Sequence, residues 1–536
     1  MARLSTHMAL VYKVIGTVEA RPDISTKKTK WTEDFTFRLL NTTQVDKQDS
    51  NQGVTMKRFF LIIAAILLAA SACNNREPAP QTPTETPTLL PSETPMPIAT
   101  TELTPVPEEF TRYNFDLTLD YSRHAAQVIQ TIDYLNKTDF SLESLLLVVP
   151  PRVFAGTYEQ TELSGDNVLS FNEDDIRTTV LLAQPLEPGQ RLVLRLAYSL
   201  SIPQREGSFG WTQRQLNLSN WYPYIPPLSP DQTWISHDPL ITTTNMMVGE
   251  YVVNEIADFQ LNLRLAENLP NLLVASGANS MPIAGGMNYS LERARGMSFS
   301  VSNQFHQEQL EHNGILINAF VFQYQKEKAP AVLQIASQAM DLFTNIFGPY
   351  HYDQISLVSA DFLHNMEMDG MVLISNRVID FYDGTAENNL TILVPHELSH
   401  QWFYSQVGSN YAMEPWLDEA IATYSESLFY EHYHPELSDW WWDNRVYAHP
   451  HEGYVNNSIY DAGSYENYRS SVYLRGAIFL HDLRITMGDQ AFLSAIKNYV
   501  AQNNLKIATK NEFIAEFQAA NPTVDLQPVF NRYFKE

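Results

Sequence analysis

Val394–Trp402 reads V-P-H-E-L-S-H-Q-W and is the most informative stretch of the chain. On a helix, His396 and His400 lie one turn apart on the same face, where two imidazoles can bind one zinc ion. Glu397, beside the first histidine, can take a proton from water at such a site. A helix that merely carries two histidines is the alternative interpretation, so the flanking sequence has to decide.

A carboxylate follows at a spacing that suits a third ligand. Glu419 comes after an interval of eighteen residues from His400, among apolar neighbours that make an unpaired charge costly. A catalytic zinc site uses three protein ligands and keeps one position open. The chain has one cysteine, Cys73, which excludes a Cys-based zinc site. The sequence therefore predicts one Zn²⁺ ion bound by His396, His400 and Glu419.

These motifs resemble the aminopeptidase N family of gluzincin zinc metallopeptidases (peptidase family M1), whose pattern is H-E-x-x-H, eighteen residues, and Glu in W-L-N/D-E. His364–Val372 lies where that family has G-x-M-E-N, and Val472–Ala477 is similar to its Y-x-K-G-A segment. The resemblance implies that Glu397 is the general base and that Tyr473 donates a hydrogen bond to the oxyanion. It also implies that Glu367 binds the free α-ammonium of a peptide substrate.

Two positions depart from the family pattern. His364 stands where the family has Gly, and Met368 replaces Asn. The resemblance implies a zinc-dependent aminopeptidase that hydrolyses N-terminal residues from peptides. Because of the departures, a zinc endopeptidase with the same metal site is kept as an alternative. A catalytically silent surface binding module on a gluzincin scaffold is the third possibility.

Upstream of Pro330, apolar residues alternate with polar ones, and this period of two is typical of β-strands. Near Pro330 the period becomes helical, a short apolar strand follows at Ile355–Val358, and helical patterns dominate from there to the C-terminus. We therefore expect a multidomain α+β protein, with an N-terminal all-β domain at 109–325 and a mainly helical zinc catalytic domain at 326–536. The resemblance implies a saddle- or sandwich-like form for the first and a thermolysin-like fold for the second. The alternating apolar residues are Tyr113, Phe115, Leu117, Leu119 and Tyr121; Leu192, Leu194, Leu196 and Tyr198; and Phe259, Leu261, Leu263 and Leu265.

The N-terminal part has the composition of targeting segments. Residues 56–73 combine a basic start, a short apolar run and the ending A-S-A-C, which resembles a bacterial lipobox with Cys73 as the lipidated residue. We expect 1–55 to be a non-native or unstructured extension, with translation starting at Met56. Residues 74–108 are rich in Thr, Pro and Glu, which predicts a disordered tether. These segments predict a short bacterial lipoprotein-type member of the family.

Charge and composition limit the partners. The chain of 536 residues has a net charge of −26, which argues against nucleic-acid binding. With 44% hydrophobic and 12% aromatic residues, it can bury sizeable cores. The predicted partners are peptide substrates and a membrane reached through the lipid anchor at Cys73. The predicted location is extracytoplasmic, on the cell surface or the periplasmic face.

Overall fold

The computed structural model describes residues 110–242 and 247–536. Within them most strands precede the helices, as the change of period predicts. The strands are β1 Thr111–Asp120, β2 Ala125–Leu135, β3 Leu142–Val148, β4 Tyr158–Ser164, β5 Val168–Asp174, β6 Arg177–Leu186, β7 Arg191–Ser201, β8 Phe209–Trp211, β9 Leu216–Leu218, β10 Ala257–Leu265, β11 Leu273–Ser276, β12 Asn279–Ile283, β13 Gly286–Ala294, β14 Phe299–Ser302, β15 Phe305–His312, β16 Ile315–Phe322, β17 Gln354–Ala360, β18 Met366–Met368 and β19 Met371–Ser375.

The helices follow mainly from residue 329 onward. Two π-helical segments, Trp442–Tyr447 and Arg469–Leu474, interrupt the α-helical series. The α-helices of the described residues are α1 Ala329–Ile346, α2 Asn376–Asp380, α3 Asn389–Ser399, α4 Trp416–Tyr433, α5 Ser438–Trp441, α6 Tyr465–Tyr468, α7 Arg475–Met487, α8 Asp489–Asn503, α9 Lys510–Ala520 and α10 Gln527–Tyr533.

The upstream strands form sheets whose alternating side chains make a core. The largest sheet has the strand order β12-β13-β10-β1-β2-β7-β4. In β1, Phe115, Leu117 and Leu119 are buried while the residues between them face outward. Trp221 and Tyr222 are also buried in this core. Two smaller sheets, β11-β14-β9-β8 and β3-β6-β5, complete this all-β part.

A mixed sheet leads into the helical part. Its order is β15-β16-β17-β19-β18, and β16, β17 and β19 run parallel. Helix α1 packs against β16 and buries Leu333, Ala336, Met340 and Phe343 at helical spacing. The edge strand β18 carries Glu367 toward the helices that hold the H-E-x-x-H motif. The predicted α+β fold, with β sheets followed by a helical C-terminal part, is confirmed.

The predicted boundary at residues 325/326 falls inside the mixed sheet. Strands β15 and β16 precede it, and β17, β18 and β19 follow it. All described residues belong to one compact unit. The division into 109–325 and 326–536 therefore stays a prediction.

Several predictions concern residues outside the described part. These are the extension 1–55, the signal segment 56–73, the tether 74–108 and the lipidation of Cys73, all of which stay predictions. Among the described residues, no helix combines the length and the apolar character needed to cross a bilayer.

Candidate active site

Helix α3 presents the first histidine of the H-E-x-x-H motif within its last turn, and the second follows at its C-terminal end. The side chain of Asn388 caps the helix by accepting hydrogen bonds of 2.8 and 3.2 Å from two backbone N–H groups of the first turn. His396 and His400 are buried, and their ring centroids are 5.0 Å apart. Pro395 lies inside the helix, where it removes one backbone hydrogen bond without ending the helix.

Helix α4 brings Glu419 to the two histidines. Oε2 of Glu419 lies 3.3 Å from Nε2 of His396 and 3.7 Å from Nε2 of His400. One possible ligand atom of each residue lies within 4.8 Å of the others. Two imidazoles and a carboxylate are a donor set that zinc uses at catalytic sites. The structure thus brings the three predicted ligands together in an arrangement that fits a zinc ion.

A buried charge network holds the far side of His396. Its Nδ1 lies 2.9 Å from Oε1 of Glu426, and Arg445 donates hydrogen bonds of 2.7 and 2.8 Å to the same carboxylate. The indole N–H of Trp441 donates another at 3.1 Å. Because Nδ1 is engaged, the ring presents Nε2 to Glu419. Glu426 is therefore a positioning residue, to which the sequence motifs assign no role.

Asp418 holds His400 in the same way. Nδ1 of His400 is hydrogen-bonded to the Asp418 carboxylate and lies 3.1 Å from the backbone carbonyl oxygen of Phe403. Asp418 directly precedes Glu419, so one turn of α4 supplies both a ligand and a positioning residue. The position of Asp418 in the W-L-D-E motif is the sequence signal that could have identified it.

The surrounding carboxylates attract positive charge to the ligand set. Burial disfavours the protonated imidazole of His396, but hydrogen bonds to Glu419 and Glu426 outweigh burial and raise its pKa to about 9. The pKa of His400 is also well above its usual value, because the Asp418 carboxylate outweighs burial. Two imidazole protons or one divalent cation can compensate the same negative field. The electrostatics thus agree with the donor set in fitting a metal cation.

Glu397 and Tyr473 flank the ligand set. Burial raises the pKa of Glu397 to about 8, although both neighbouring histidines oppose that shift. The ring of Tyr473 stacks on that of His396, with 5.9 Å between centroids and 7° between planes, and its hydroxyl donates to Glu419. Burial and the Glu419 charge raise the pKa of Tyr473 well above its usual value, so the hydroxyl remains a donor. A carboxylate and a phenol therefore line the cleft beside the ligands.

Glu367 reaches the site from the edge strand β18. The turn between β18 and β19 contains Gly370 at φ +64°, a conformation that favours glycine. Gln401, directly after the H-E-x-x-H motif, accepts a hydrogen bond from Gly370 N–H (3.0 Å) and donates one to the carbonyl oxygen of Met368 (2.9 Å). Glu367 is buried, and its Oε1 has no hydrogen-bond partner among the described residues. Such an oxygen fits a cationic ligand.

Glu250 is a site residue that sequence reasoning did not find. One carboxylate oxygen each of Glu250, Glu367 and Asp418 lies within 4.8 Å of the others. Oε2 of Glu250 is buried without a hydrogen-bond partner in the described part of the chain. Burial, reinforced by the Glu367 charge, raises the pKa of Glu250 well above its usual value. Because Glu250 lies in a loop outside any motif or periodic pattern, no sequence signal pointed to it.

The two departures from the family pattern take different places. His364 lines the cleft, with its ring centroid 5.0 Å from that of Tyr465. The side chain of Met368 packs instead in a buried cluster with Met371 and Leu373. Only the change at His364 therefore alters the surface that a substrate would meet.

Residues 331–533 match the family model described as the Peptidase family M1 domain. This part of the chain is similar to the peptidase family M1 domain. The matched residues include the predicted ligands, Glu397, Glu367 and Tyr473, whereas Glu250 lies upstream of them. The resemblance inferred from the motifs is confirmed.

Curated relatives match part of the chain. Aminopeptidase M1-D of Oryza sativa subsp. japonica is 25% identical over 222 residues, which are 37% of this chain and 24% of that protein. Aminopeptidase Q of Homo sapiens is 27% identical over 195 residues, which are 34% of this chain and 20% of that protein. The chain thus spans about a quarter or less of the length of these relatives.

A solved structure shares the fold over a longer range. The M1 zinc metallopeptidase from Deinococcus radiodurans has a TM-score of 0.56 and 16% identity, covering 80% of this chain and 95% of its own. A mutant of that protein was solved bound to a Tyr-Ser-Ala substrate. This similarity supports the fold class of β sheets followed by a helical part.

Proposed function

We propose that this chain is a zinc-dependent aminopeptidase that removes N-terminal residues from peptides. One observation carries the proposal: the ligand set of His396, His400 and Glu419 shares a cleft with the unpartnered carboxylates of Glu250 and Glu367. The first group fits a metal and the second group fits an ammonium. The aminopeptidase names of the curated relatives support the proposal.

The carboxylates of Glu250 and Glu367 bind the N-terminal end of the peptide substrate. Each has a buried oxygen without a hydrogen-bond partner among the described residues, and a buried unpaired carboxylate is costly. A peptide α-ammonium satisfies both. Since the ammonium is held next to Glu397 and His400, the bond placed for reaction is the first peptide bond.

The hydrolytic step uses two side chains beside the ligand set. A bound zinc ion supplies a Lewis acid that acidifies water and polarises the peptide carbonyl. The carboxylate of Glu397 accepts the proton of the attacking water and delivers it to the leaving amine. The hydroxyl of Tyr473 donates to the carbonyl oxygen as negative charge develops there. Glu426 and Asp418 keep the two imidazoles oriented throughout.

An endopeptidase is the second candidate function. The observation that favours it is His364, which lines the cleft where the family pattern has Gly. An endopeptidase would accept peptides whose amino group is blocked, because it does not depend on the ammonium contact. The two functions therefore differ in one measurable property.

The test compares aminoacyl fluorogenic substrates with their N-acetyl forms. We expect the wild type to cleave the free-amine substrates and to leave the blocked ones intact. Equal rates on both would support the endopeptidase instead. In Glu397→Gln, kcat should fall by about 10²–10⁴ because the general base is lost. Zinc content, measured by mass spectrometry, should be unchanged.

A matched control uses another glutamate. The side chain of Glu327 is 87% exposed, so Glu327→Gln should cause no loss of activity. Activity retained in Glu397→Gln would contradict the general-base assignment.

Membrane anchorage through Cys73 is a separate proposal, supported by the lipobox-like sequence and by the absence of any other cysteine. Labelling with a radioactive fatty acid should mark the wild type and not Cys73→Ala. Equal labelling of both would contradict the anchor site.

A further inference from the structure

Three arginines line the catalytic cleft, and among the described residues two of them, Arg205 and Arg469, form no ion pair. Arg445 is paired with Glu426 through two hydrogen bonds. Arg205 lies over the ring of Phe154 at 4.5 Å and donates to a backbone carbonyl oxygen. Arg469 also lines the cleft, but among residues 110–242 and 247–536 no carboxylate forms an ion pair with it. Its charge is therefore available to a ligand.

The place of Arg469 in the cleft is set by the segment of chain that carries it. Arg469 opens the π-helical segment that carries Tyr473 one turn later, and Tyr473 stacks on His396. Arg445, which faces the same cleft, reaches His396 through Glu426. The acidic group, by contrast, surrounds His400. The unpartnered carboxylates thus lie around His400, whereas Arg445 and the segment that begins with Arg469 are connected to His396 through Glu426 and Tyr473.

The position of Arg469 makes its charge costly without a ligand. The side chain is half-buried, and burial together with the nearby Arg445 lowers its pKa. A guanidinium group binds a carboxylate through two parallel hydrogen bonds, and this geometry favours planar anions. A carboxylate on the substrate would supply the partner that the described chain does not.

We propose that Arg469 binds the C-terminal carboxylate of short peptides, so that the cleft recognises both charged ends of its substrate. This inference rests on the proposed aminopeptidase function. Glu250 and Glu367 hold the ammonium near His400, and the chain of the substrate then runs past His396 toward Arg469. Each extended residue adds about 3.3–3.6 Å, so the length of the peptide decides whether its C-terminal carboxylate reaches Arg469. The cleft volume of about 440 Å³ lies toward the small end of ligand pockets, which range over about 300–1,000 Å³.

The test compares an alanine tripeptide with its C-terminal amide on the wild type and on Arg469→Gln. For the wild type we expect kcat/KM to be about tenfold or more higher for the free acid, the usual size of a charge-assisted hydrogen bond. The difference should lie in KM. In Arg469→Gln the ratio of acid to amide should approach one, and Arg469→Lys should restore part of it. Because the ratio is measured within one protein preparation, a general loss of stability does not change it.

Two further arms identify the source of the carboxylate. A free hexapeptide should show little preference over its amide, because its C-terminus passes beyond Arg469. Ala-Asp-Ala-amide and Ala-Asn-Ala-amide should be cleaved at equal rates. A preference that follows the aspartate and not the terminus would overturn the C-terminal assignment. The matched control is Arg123→Gln, because the side chain of Arg123 is 84% exposed. This substitution should leave the acid-to-amide ratio unchanged.

The inference and the proposed function fail in different ways. An acid-to-amide ratio of one in the wild type, or a ratio that persists in Arg469→Gln, would overturn the role of Arg469 while peptide hydrolysis stands. If no free-amine peptide is cleaved, the proposed function fails. Calorimetric binding of the same tripeptides to Glu397→Gln then decides the role of Arg469, since the acid should bind about tenfold more tightly than the amide.

Discussion

The charged groups behind the two histidines, which we call the floor of the cleft, have ionic partners. The charged groups that face the substrate, which we call its walls, do not. In the floor, Glu426 pairs with Arg445 and His396, and Asp418 pairs with His400. On the walls, Glu250, Glu367 and Arg469 have charged groups without an ionic partner among the described residues. The fold therefore satisfies the charges that position the histidines and leaves open those that face the substrate. Partnered charges should carry stability and metal affinity, and unpartnered charges should carry substrate affinity.

The largest effect is expected in the floor, at Glu426→Gln. The substitution leaves Arg445 buried without its counter-charge, and loss of one member of a buried pair costs about 3–5 kcal/mol of unfolding free energy. It also loosens the orientation of His396, which should lower zinc affinity by about 10–100-fold. Denaturant unfolding and titration with a zinc chelator measure the two effects separately.

A pair on the same helix provides the control. Glu431 bonds to Arg484 near the surface, with its side chain 32% exposed. Glu431→Gln should cost at most about 1 kcal/mol, as is usual for exposed pairs. Equal losses for the two variants would mean that burial does not set the contribution of the Glu426 pair to stability.

Tyr473 lies at the border of the two regions. Its hydroxyl has a partner in Glu419, yet its ring lines the cleft. In Tyr473→Phe we expect kcat to fall by about 10²–10³, the usual effect of removing one donor to a developing oxyanion, with little change in KM. Steady-state kinetics measure both constants, and zinc content should stay constant. A rise in KM alone would mean that Tyr473 binds the substrate and does not stabilise the oxyanion. Tyr454→Phe is the control, because Tyr454 is 50% exposed.

The metal ligands could be predicted from the sequence because their geometry is local. His396 and His400 share a helix, and the spacing to Glu419 is a fixed property of two helices that pack together. The alternating strands follow from their period as well.

Of the wall residues, the family resemblance predicted Glu367, but Glu250 and Arg469 could not be predicted because tertiary packing alone brings them to the cleft. Glu250 comes from a loop far upstream and meets Glu367 only after β18 reaches the helices. The direction of Arg469 depends on a π-helical segment that α-helical periodicity does not predict. The mixed sheet, likewise, joins strands from both sides of residue 325.

The smallest effect is expected on the wall, at Glu250→Gln. Removing an unpartnered buried carboxylate relieves its cost, so the free energy of unfolding should stay equal or rise, unlike at Glu426. KM for free-amine substrates should increase about tenfold as one contact to the ammonium is lost, with kcat nearly unchanged. The matched control is Glu206→Gln, because Glu206 is an exposed glutamate that lines the same cleft. A stability loss like that of Glu426→Gln, with unchanged KM, would mean that Glu250 stabilises the fold and does not bind the substrate. The wall residues would then have the same role as the floor residues.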